Sequence, residues 1–264
     1  MDRARVVDNR RCRLVTGYRV AVDRLAPLLD LAGVADALDT AREQVDAALR
    51  HRALRRHGGL VAAEVSLRSA VASAAIEGHR YEQEDVRAGT VTDPVLQGAL
   101  RVAEALGGLV DLWPRAPRQV LARLHVLAAR GIVPDDELGR LASGAERIDA
   151  LAGLVAGNDR TPPLLLAAVV HAELLTLRPF PGPAGVVARA AARLTLINRG
   201  FDPRGLIAVE AGHLARDREY VGASGAYATG TPDGVRSWLR HYAAAVRAGA
   251  EETVEIADAV LAAA

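Results

Sequence analysis

Residues 164–177 are apolar on nearly every side, and three closely spaced prolines follow them between residues 179 and 183. A helix that is hydrophobic all round is a buried, central helix, and prolines end a helix because they lack the backbone donor that the next turn needs. The stretch contains His171 and Glu173, and it is shorter than the roughly 20 apolar residues that span a bilayer. We therefore predict a soluble protein, without a membrane partner, that folds around this helix.

The composition favours helices over strands. Half of the 264 residues are apolar but only 3% are aromatic, and alanine, the best helix former, is abundant. Runs of β-branched and aromatic residues, which build strands, are scarce. The least helical segment of the middle of the chain is 144–159, where apolar residues are bounded by glycines. We predict an all-α helical bundle with at most a short β-hairpin flap; this segment could form that hairpin or an irregular flap.

Turn signals divide the chain into an expected N-terminal helical extension, residues 1–58, and a helical domain, residues 59–264. The boundary follows an arginine-rich run and the pair Gly58-Gly59. Asp93-Pro94 is a strong helix start, with an N-cap followed by proline at the first helical position. Apolar periodicity predicts helices of approximate bounds 60–76, 94–113, 119–129, 135–141, 163–177, 184–198, 208–214, 217–227 and 234–262.

Charge and cysteine usage exclude several classes of protein. The 33 arginine and lysine residues balance 32 aspartate and glutamate residues for a net charge of +1, whereas nucleic-acid binding needs a concentrated basic face. Cys12 is the only cysteine, so there is neither a disulfide framework nor a thiolate cluster, and we expect no metal site. Residues 1–13 lack the apolar core of a signal peptide. We therefore expect a cytoplasmic protein that binds no nucleic acid.

The turn after the buried helix predicts a small-anion site on physical grounds alone. Residues 178–189 read Arg-Pro-Phe-Pro-Gly-Pro-Ala-Gly-Val-Val-Ala-Arg, and a new helix begins near Gly185. The start of a helix presents free N–H groups and the positive end of the helix dipole, which together attract phosphates and other anions. We therefore expect that a small anion can lie near Gly185, with Arg189 close to it.

The same segment resembles the signature loop of the Fic family, whose members mostly transfer AMP from ATP to a protein hydroxyl. The family signature is His-Pro-Phe-x-Asp/Glu-Gly-Asn-Gly-Arg-x-x-Arg, and it is matched in register by Pro179, Phe180, Gly185 and Arg189. The preceding residues 171–177 are also typical of the helix that leads into that loop. The resemblance covers roughly residues 60–262 and implies a Fic-like helical bundle.

Two further segments match the family in the right order. The inhibitory-helix motif of the family, Ser/Thr-x-x-x-Glu-Gly/Asn, is matched by Ser73, Glu77 and Gly78. Residues 218–220 and 238–242 resemble the arginine–tyrosine and tryptophan helices at the end of many Fic domains. From the resemblance, the candidates for binding an anion or a nucleotide are Arg178, Gly185, Arg189 and Tyr220.

The departures from the signature fall on its chemistry. Arg178 stands where the family has the histidine that takes the proton of the target hydroxyl, and a guanidinium cannot be deprotonated in a protein. Gly182 replaces the acidic residue that holds Mg²⁺, while Ala184 and Val186 replace an asparagine and a phosphate-binding arginine. Pro183 also removes one backbone N–H from the turn. The resemblance therefore implies that no catalytic residue is intact.

Two retained residues predict a framework contact. In Fic proteins with the inhibitory motif, the glutamate pairs with the last arginine of the signature and blocks the γ-phosphate of ATP; these positions are Glu77 and Arg189. We predict a buried ion pair between them. Arg178 has two interpretations: a surface arginine that is hydrogen-bonded to nearby helix ends, or a ligand for a phosphate or carboxylate, to which arginine is well suited. Neither His171, about 10 Å from Arg178 along the helix axis, nor His79 is assigned as a base.

The leading hypothesis is a degenerate Fic-type protein that lacks ordinary AMP transfer and acts as a regulator by binding a small anion, a nucleotide or an unknown protein partner. One alternative is an active nucleotidyl- or phosphotransferase with altered chemistry, for which ATP and Mg²⁺ would be cofactors; otherwise no cofactor is expected. The other alternative is a structural module whose helical surface forms a homodimer.

Overall fold

The computed structural model of the chain describes residues 24–157 and 160–264. Cys12 and residues 1–13, on which the cysteine and signal-peptide expectations rest, lie outside this part of the chain. The described residues form two short 3₁₀ helices and the α-helices α1 Val34–Leu49, α2 Ala53–Arg56, α3 Gly58–Ile76, α4 Gln83–Arg87, α5 Pro94–Leu109, α6 Pro117–Ala129, α7 Ala145–Ala156, α8 Pro163–Leu177, α9 Ala184–Asn198, α10 Val209–Ala215, α11 Asp217–Ala228 and α12 Pro232–Ala263.

Helix α8 lies at the centre of the bundle, as the all-round apolar sequence predicts. Its first ten residues after Pro163 are almost all buried, including His171. Helix α9 packs along it, and α7, α11 and α12 contact it from other sides. Because α8 and α9 are both buried, the turn between them is fixed on each side by packed helix.

Helices α1 and α12 cover one another on the outside of this centre. The buried side of α1 carries Val34, Leu38 and Val45, which recur at helical spacing, and these residues belong to the same hydrophobic core as α8 and α9. The described part of the expected N-terminal extension therefore packs into the main core. Helix α12 begins at an N-cap, where the Thr231 side chain accepts a hydrogen bond from the Gly234 N–H at 3.2 Å.

The prediction of an all-α bundle with at most a short hairpin is confirmed. The described residues contain no strand, only an isolated bridge between Arg130 and Val133. The expectation that 144–159 is the least helical segment is wrong, because 145–156 form helix α7, in which Ile148, Leu151 and Val155 are spaced three and four residues apart and bury one helix face. The predicted helix at 135–141 is a single 3₁₀ turn, residues Asp135–Glu137.

Helix α3 carries the Ser73 and Glu77 motif and ends at the predicted place. Glu77 follows its last residue, and Gly78 adopts a φ of 96°, the left-handed region that glycine tolerates best. Among the described residues this is the helix that is long and apolar enough to cross a membrane, but half of its apolar window is buried in the fold. It packs against α5 and α10, as a core helix of a globular domain does.

Candidate functional site

A cleft of about 480 Å³ opens where the ends of α3 and α8, the start of α9 and one side of α11 meet. Glu77 contributes from the end of α3, Arg178 from the end of α8, and Gly185 from the first turn of α9. Tyr220 closes one side from α11. Three regions that are far apart in the sequence, around residues 77, 178–185 and 220, therefore converge on one site, and each carries a residue that the sequence singled out.

The loop that carries Arg178 into the cleft is held from α6. The His125 side chain accepts a hydrogen bond from the Gly139 N–H at Nδ1, 2.9 Å, so its Nε2 carries the proton and donates to the Pro181 carbonyl at 2.8 Å. The His125 ring also stacks on Phe180, with centroids 4.8 Å apart. Burial lowers the pKa of His125 below its usual value, which keeps the ring neutral and able to accept that bond.

Arg189 lies buried behind Glu77 and is fully engaged by its neighbours. Its side chain is only 2% exposed. Its Nε donates to the Ser73 hydroxyl at 2.9 Å, and its Nη2 donates to the Ser73 carbonyl at 2.9 Å and to Glu77 Oε1 at 2.8 Å. The predicted ion pair between Glu77 and Arg189 is therefore confirmed. Burial by itself would lower the pKa of Arg189, but Tyr220 and Glu77 raise it above its usual value, so the arginine stays charged.

The anion position that was predicted at the start of α9 is filled by the chain itself. A Cβ atom placed on Gly185 would lie only 2.1 Å from Glu77 Oε1 and 2.9 Å from Arg189 Nη1. Glycine at this position therefore leaves the space in which the Glu77 carboxylate lies. A carboxylate in the first turn of a helix is favoured by the helix dipole, and Arg189 one turn further along α9 adds its charge to that field.

Tyr220 and His171 continue this polar chain into the protein interior. The Tyr220 hydroxyl accepts a hydrogen bond from Arg189 Nη1 at 3.2 Å and is hydrogen-bonded to His171 Nε2 at 3.0 Å. Burial raises the pKa of Tyr220, although Arg189 acts against the shift. His171 is 0% exposed, and burial, with the charge of Arg189, holds its pKa well below the usual value. His171 therefore does not reach the cleft, in agreement with its exclusion as a base.

Arg178 is the exposed cation of the cleft. Its backbone is left-handed, with φ 42° and ψ 60°, and among the described residues it is the only non-glycine residue with a positive φ. Its backbone N–H donates to the Leu174 carbonyl at 3.0 Å and closes α8. In the described part of the chain its guanidinium has no hydrogen-bond or ion-pair partner. The exposed position expected of a surface arginine is therefore present, whereas the expected side-chain hydrogen bonds to helix ends are not.

Comparison with known proteins identifies the architecture around this cleft. No family model and no curated protein matches the chain in sequence. A Fic family protein from Desulfovibrio desulfuricans G20 superposes with a TM-score of 0.69 at 22% identity, over 85% of this chain and 74% of its own. Fic-1 (residues 134–508) from C. elegans also has a TM-score of 0.69, at 18% identity, over 91% of this chain and 76% of its own. This chain has the Fic fold.

Within this Fic fold, residues 182–186 lie at or beneath the cleft without adding charge to it. Gly182 and Ala184 line the cleft, and Val186 is only 2% exposed, packed in the core. Pro183 precedes the first residue of α9 and has no N–H to offer. The described residues contain no cluster of three or more His, Cys, Asp or Glu side chains that could hold a metal ion. Glu77, paired with Arg189, is the one carboxylate among the lining residues.

The remaining candidate residues lie elsewhere. His79 is hydrogen-bonded to Asp93 at 2.9 Å and is not among the residues that line the cleft, so it is a turn histidine. Trp238 and Tyr242 are both 0% exposed, and the Trp238 indole N–H donates to the Ala168 carbonyl on α8 at 2.8 Å. Residues 238–242 thus belong to the core and do not line the cleft.

Proposed function

We propose that this protein does not perform ordinary AMP transfer and instead uses the Fic fold to bind an anion in the cleft. In this proposal it acts in the cytoplasm as a regulator whose anion is a small molecule or part of a protein partner. The observation that carries the proposal is an exposed arginine, Arg178, held at the cleft in a conformation that arginine disfavours.

The chemistry of the signature positions supports the loss of AMP transfer. A guanidinium at Arg178 cannot act as a general base, and general-base catalysis is typically worth about 10²–10⁴-fold in rate. Gly182 has no carboxylate to hold Mg²⁺ against phosphates, and Val186 is buried without charge. In this proposal the inhibitory-type motif has a structural role, in which Ser73 and Glu77 bind the Arg189 side chain at the end of α3 where Gly78 follows.

The backbone of Arg178 supports a role for its side chain. The left-handed conformation costs a non-glycine residue roughly 1–2 kcal/mol, and glycine is the usual residue where a helix ends in this way. Strained residues of this kind occur mainly at functional sites. The guanidinium has no partner among the described residues to repay that strain, so a ligand in the cleft is its best-supported role.

Arg178→Gly separates binding from stability. We expect the variant to lose affinity for inorganic phosphate, AMP or ATP at least about tenfold, because a charge-assisted hydrogen bond is removed. We also expect its free energy of unfolding to be unchanged or to rise by about 1 kcal/mol, because glycine relieves the strain. Isothermal titration and urea denaturation measure the two effects. Arg115→Gly, which replaces an exposed arginine outside the cleft, is the matched control; equal affinity in both variants would contradict the proposal.

A direct assay distinguishes this proposal from an active transferase. The protein and its Glu77→Gly variant are incubated with labelled ATP and other nucleotides, with and without Mg²⁺, and labelled protein is measured. We expect no sustained transfer in either form. Sustained label transfer would contradict the proposed loss of catalysis. If the protein is a stable dimer and no anion changes its melting temperature, the alternative of a structural module is favoured.

A further inference from the structure

The cleft offers one free positive charge to a ligand. Arg178 and Glu77 are its charged lining residues, and the Glu77 carboxylate is already neutralised from below by Arg189. Arg189 itself is 2% exposed and has no room to meet a ligand. A nucleoside triphosphate carries several negative charges and usually needs carboxylate-held Mg²⁺, whereas the pairing of Glu77 with Arg189 leaves Arg178 as the one free positive charge among the lining residues. The charges of the cleft therefore match a ligand with a single negative charge.

Apolar side chains line one part of the cleft, while Thr176, Tyr220 and Ser224 line other parts of it. Val221 on α11 is 63% exposed, the largest exposure of any large hydrophobic side chain in the described residues. It lines the cleft together with Ala228 on the same helix face, two turns further along. Ile76 from α3 and Leu175 from α8 line other sides. A single exposed hydrophobic residue needs no explanation. Val221, however, lines the same cleft as Arg178, whose guanidinium is unpaired among the described residues.

The volume of about 480 Å³ falls within the range of about 300–1,000 Å³ that is usual for small-molecule sites. From the charge and the wall together, we infer that the ligand is an amphipathic monocarboxylate, with its carboxylate on Arg178 and its apolar body on Val221, Ile76 and Leu175. This inference rests on the proposed anion binding at Arg178 and names the class of anion. A carboxylate matches the planar, two-pronged donor geometry of a guanidinium.

Four probes test the ligand class on the full chain. They are 3-phenylpropionate, 3-phenylpropan-1-ol with the same apolar body and no charge, inorganic phosphate with charge and no apolar body, and Mg-ATP. We expect 3-phenylpropionate to bind at least about tenfold more tightly than each of the others, since only it meets both the arginine and the apolar wall. Titration followed by calorimetry or by NMR chemical shifts gives the affinities.

Substitutions at two residues of similar exposure test the apolar wall. Val221→Asp removes apolar contact and adds a like charge beside the ligand, so we expect about a tenfold loss of 3-phenylpropionate affinity. Leu60→Asp changes a residue that is 60% exposed on α3 and does not line the cleft, so its affinity should be unchanged. Equal affinities in the two variants overturn the inferred ligand class.

The probes also distinguish failure of this inference from failure of the proposed function. Tighter binding of Mg-ATP or phosphate than of 3-phenylpropionate, lost in Arg178→Gly, overturns the monocarboxylate and leaves anion binding intact. If 3-phenylpropan-1-ol binds as tightly as 3-phenylpropionate, the negative charge of the ligand does not contribute to binding, and both proposals are overturned. Failure of every anion to bind also contradicts both.

Discussion

At Gly185 the missing side chain determines where Glu77 lies. The Glu77 carboxylate occupies the space that a Cβ atom would take, and from there it reaches Arg189 at 2.8 Å. Glu77 keeps a quarter of its side-chain surface exposed, whereas Arg189 is almost wholly buried. Loss of the contact therefore leaves the buried arginine with fewer partners, while the carboxylate is free to turn into water. The ion pair between Glu77 and Arg189 therefore depends on glycine at position 185.

Gly185→Ala tests this coupling. The new methyl group would push Glu77 aside, and we expect a destabilisation of about 1–3 kcal/mol, less than the loss of a fully buried ion pair because Ser73 and Tyr220 still bind Arg189. In a Glu77→Ala background the same substitution should cost at least about 1 kcal/mol less. Urea denaturation of the four proteins gives the coupling. Strictly additive effects of the two substitutions would show that the glycine does not serve the ion pair.

The sequence could predict this contact but not the network around it. Glu77 and Arg189 each belong to a motif with fixed spacing, so their pairing follows once the motifs are matched. The hydrogen bond from His171 to Tyr220, and the support of the loop by His125, join residues that no motif relates. They arise from how whole helices pack, and single-residue patterns carry no signal for that. The strained backbone of Arg178 is likewise visible only in three dimensions.

Helices α10 and α12 approach so closely that their backbones touch. A Cβ atom on Gly212 in α10 would lie 1.9 Å from the Ala245 carbonyl oxygen in α12, and one on Gly249 would lie 2.6 Å from the Ala208 carbonyl oxygen. These neighbours are backbone atoms of α12 and of Ala208, the buried residue that precedes α10, and they cannot swing away as the Glu77 side chain can. Small residues at this crossing therefore set the distance between the two helices.

We expect Gly212→Ala to lower the free energy of unfolding by about 1–3 kcal/mol, the usual cost of overpacking. Gly222→Ala on the exposed side of α11, where a Cβ atom would meet nothing within 4 Å, should instead raise it by about 0.5–1 kcal/mol, because alanine is the better helix former. Circular dichroism during urea unfolding measures both changes. A Gly212→Ala protein as stable as the parent would mean that the two helices are not held at this distance.

Helix positions followed from apolar spacing, and the error at 144–159 shows the limit of that method. Bounding glycines suggested a hairpin or flap there, yet Ile148, Leu151 and Val155 bury one face of α7. The residues between the glycines are mostly good helix formers such as alanine and leucine, so the glycines mark the ends of a helix and not a turn within a hairpin. At Asp93 the local signal was sufficient, since the start of α5 was predicted from this N-cap. The Asp93 side chain accepts a hydrogen bond from the Leu96 N–H at 2.9 Å.

Three buried histidines join four helices into one interior cluster. His171 on α8, His213 on α10 and His241 on α12 lie within stacking distance of one another or of Tyr220 on α11. Burial holds the pKa values of His171 and His213 well below the usual value and lowers that of His241 to about 4. The cluster also faces Arg189 and, at 3.9 Å from His241 Nδ1, the Glu219 carboxylate. All three rings are therefore neutral in the folded protein.

The cluster predicts a loss of stability in weak acid. Below the usual histidine pKa of about 6.5 the unfolded chain binds protons that the folded protein does not, so stability is complete above this pH and falls as the pH falls towards 4. Each histidine contributes up to about 1.4 kcal/mol per pH unit. Urea midpoints measured between pH 7.5 and pH 4.5 should therefore fall steadily.

Substitution of single histidines locates the source of this pH dependence. His241→Gln removes one titrating ring at the edge of the cluster, and we expect the slope of stability against pH to decrease by at most about one third, because His171, His213 and the buried His125 still contribute. If His241→Gln gives the same slope as the parent protein, the acid sensitivity does not come from this cluster. A smaller slope in His241→Gln would show that the neutral state of the buried histidines makes the stability of the fold depend on pH.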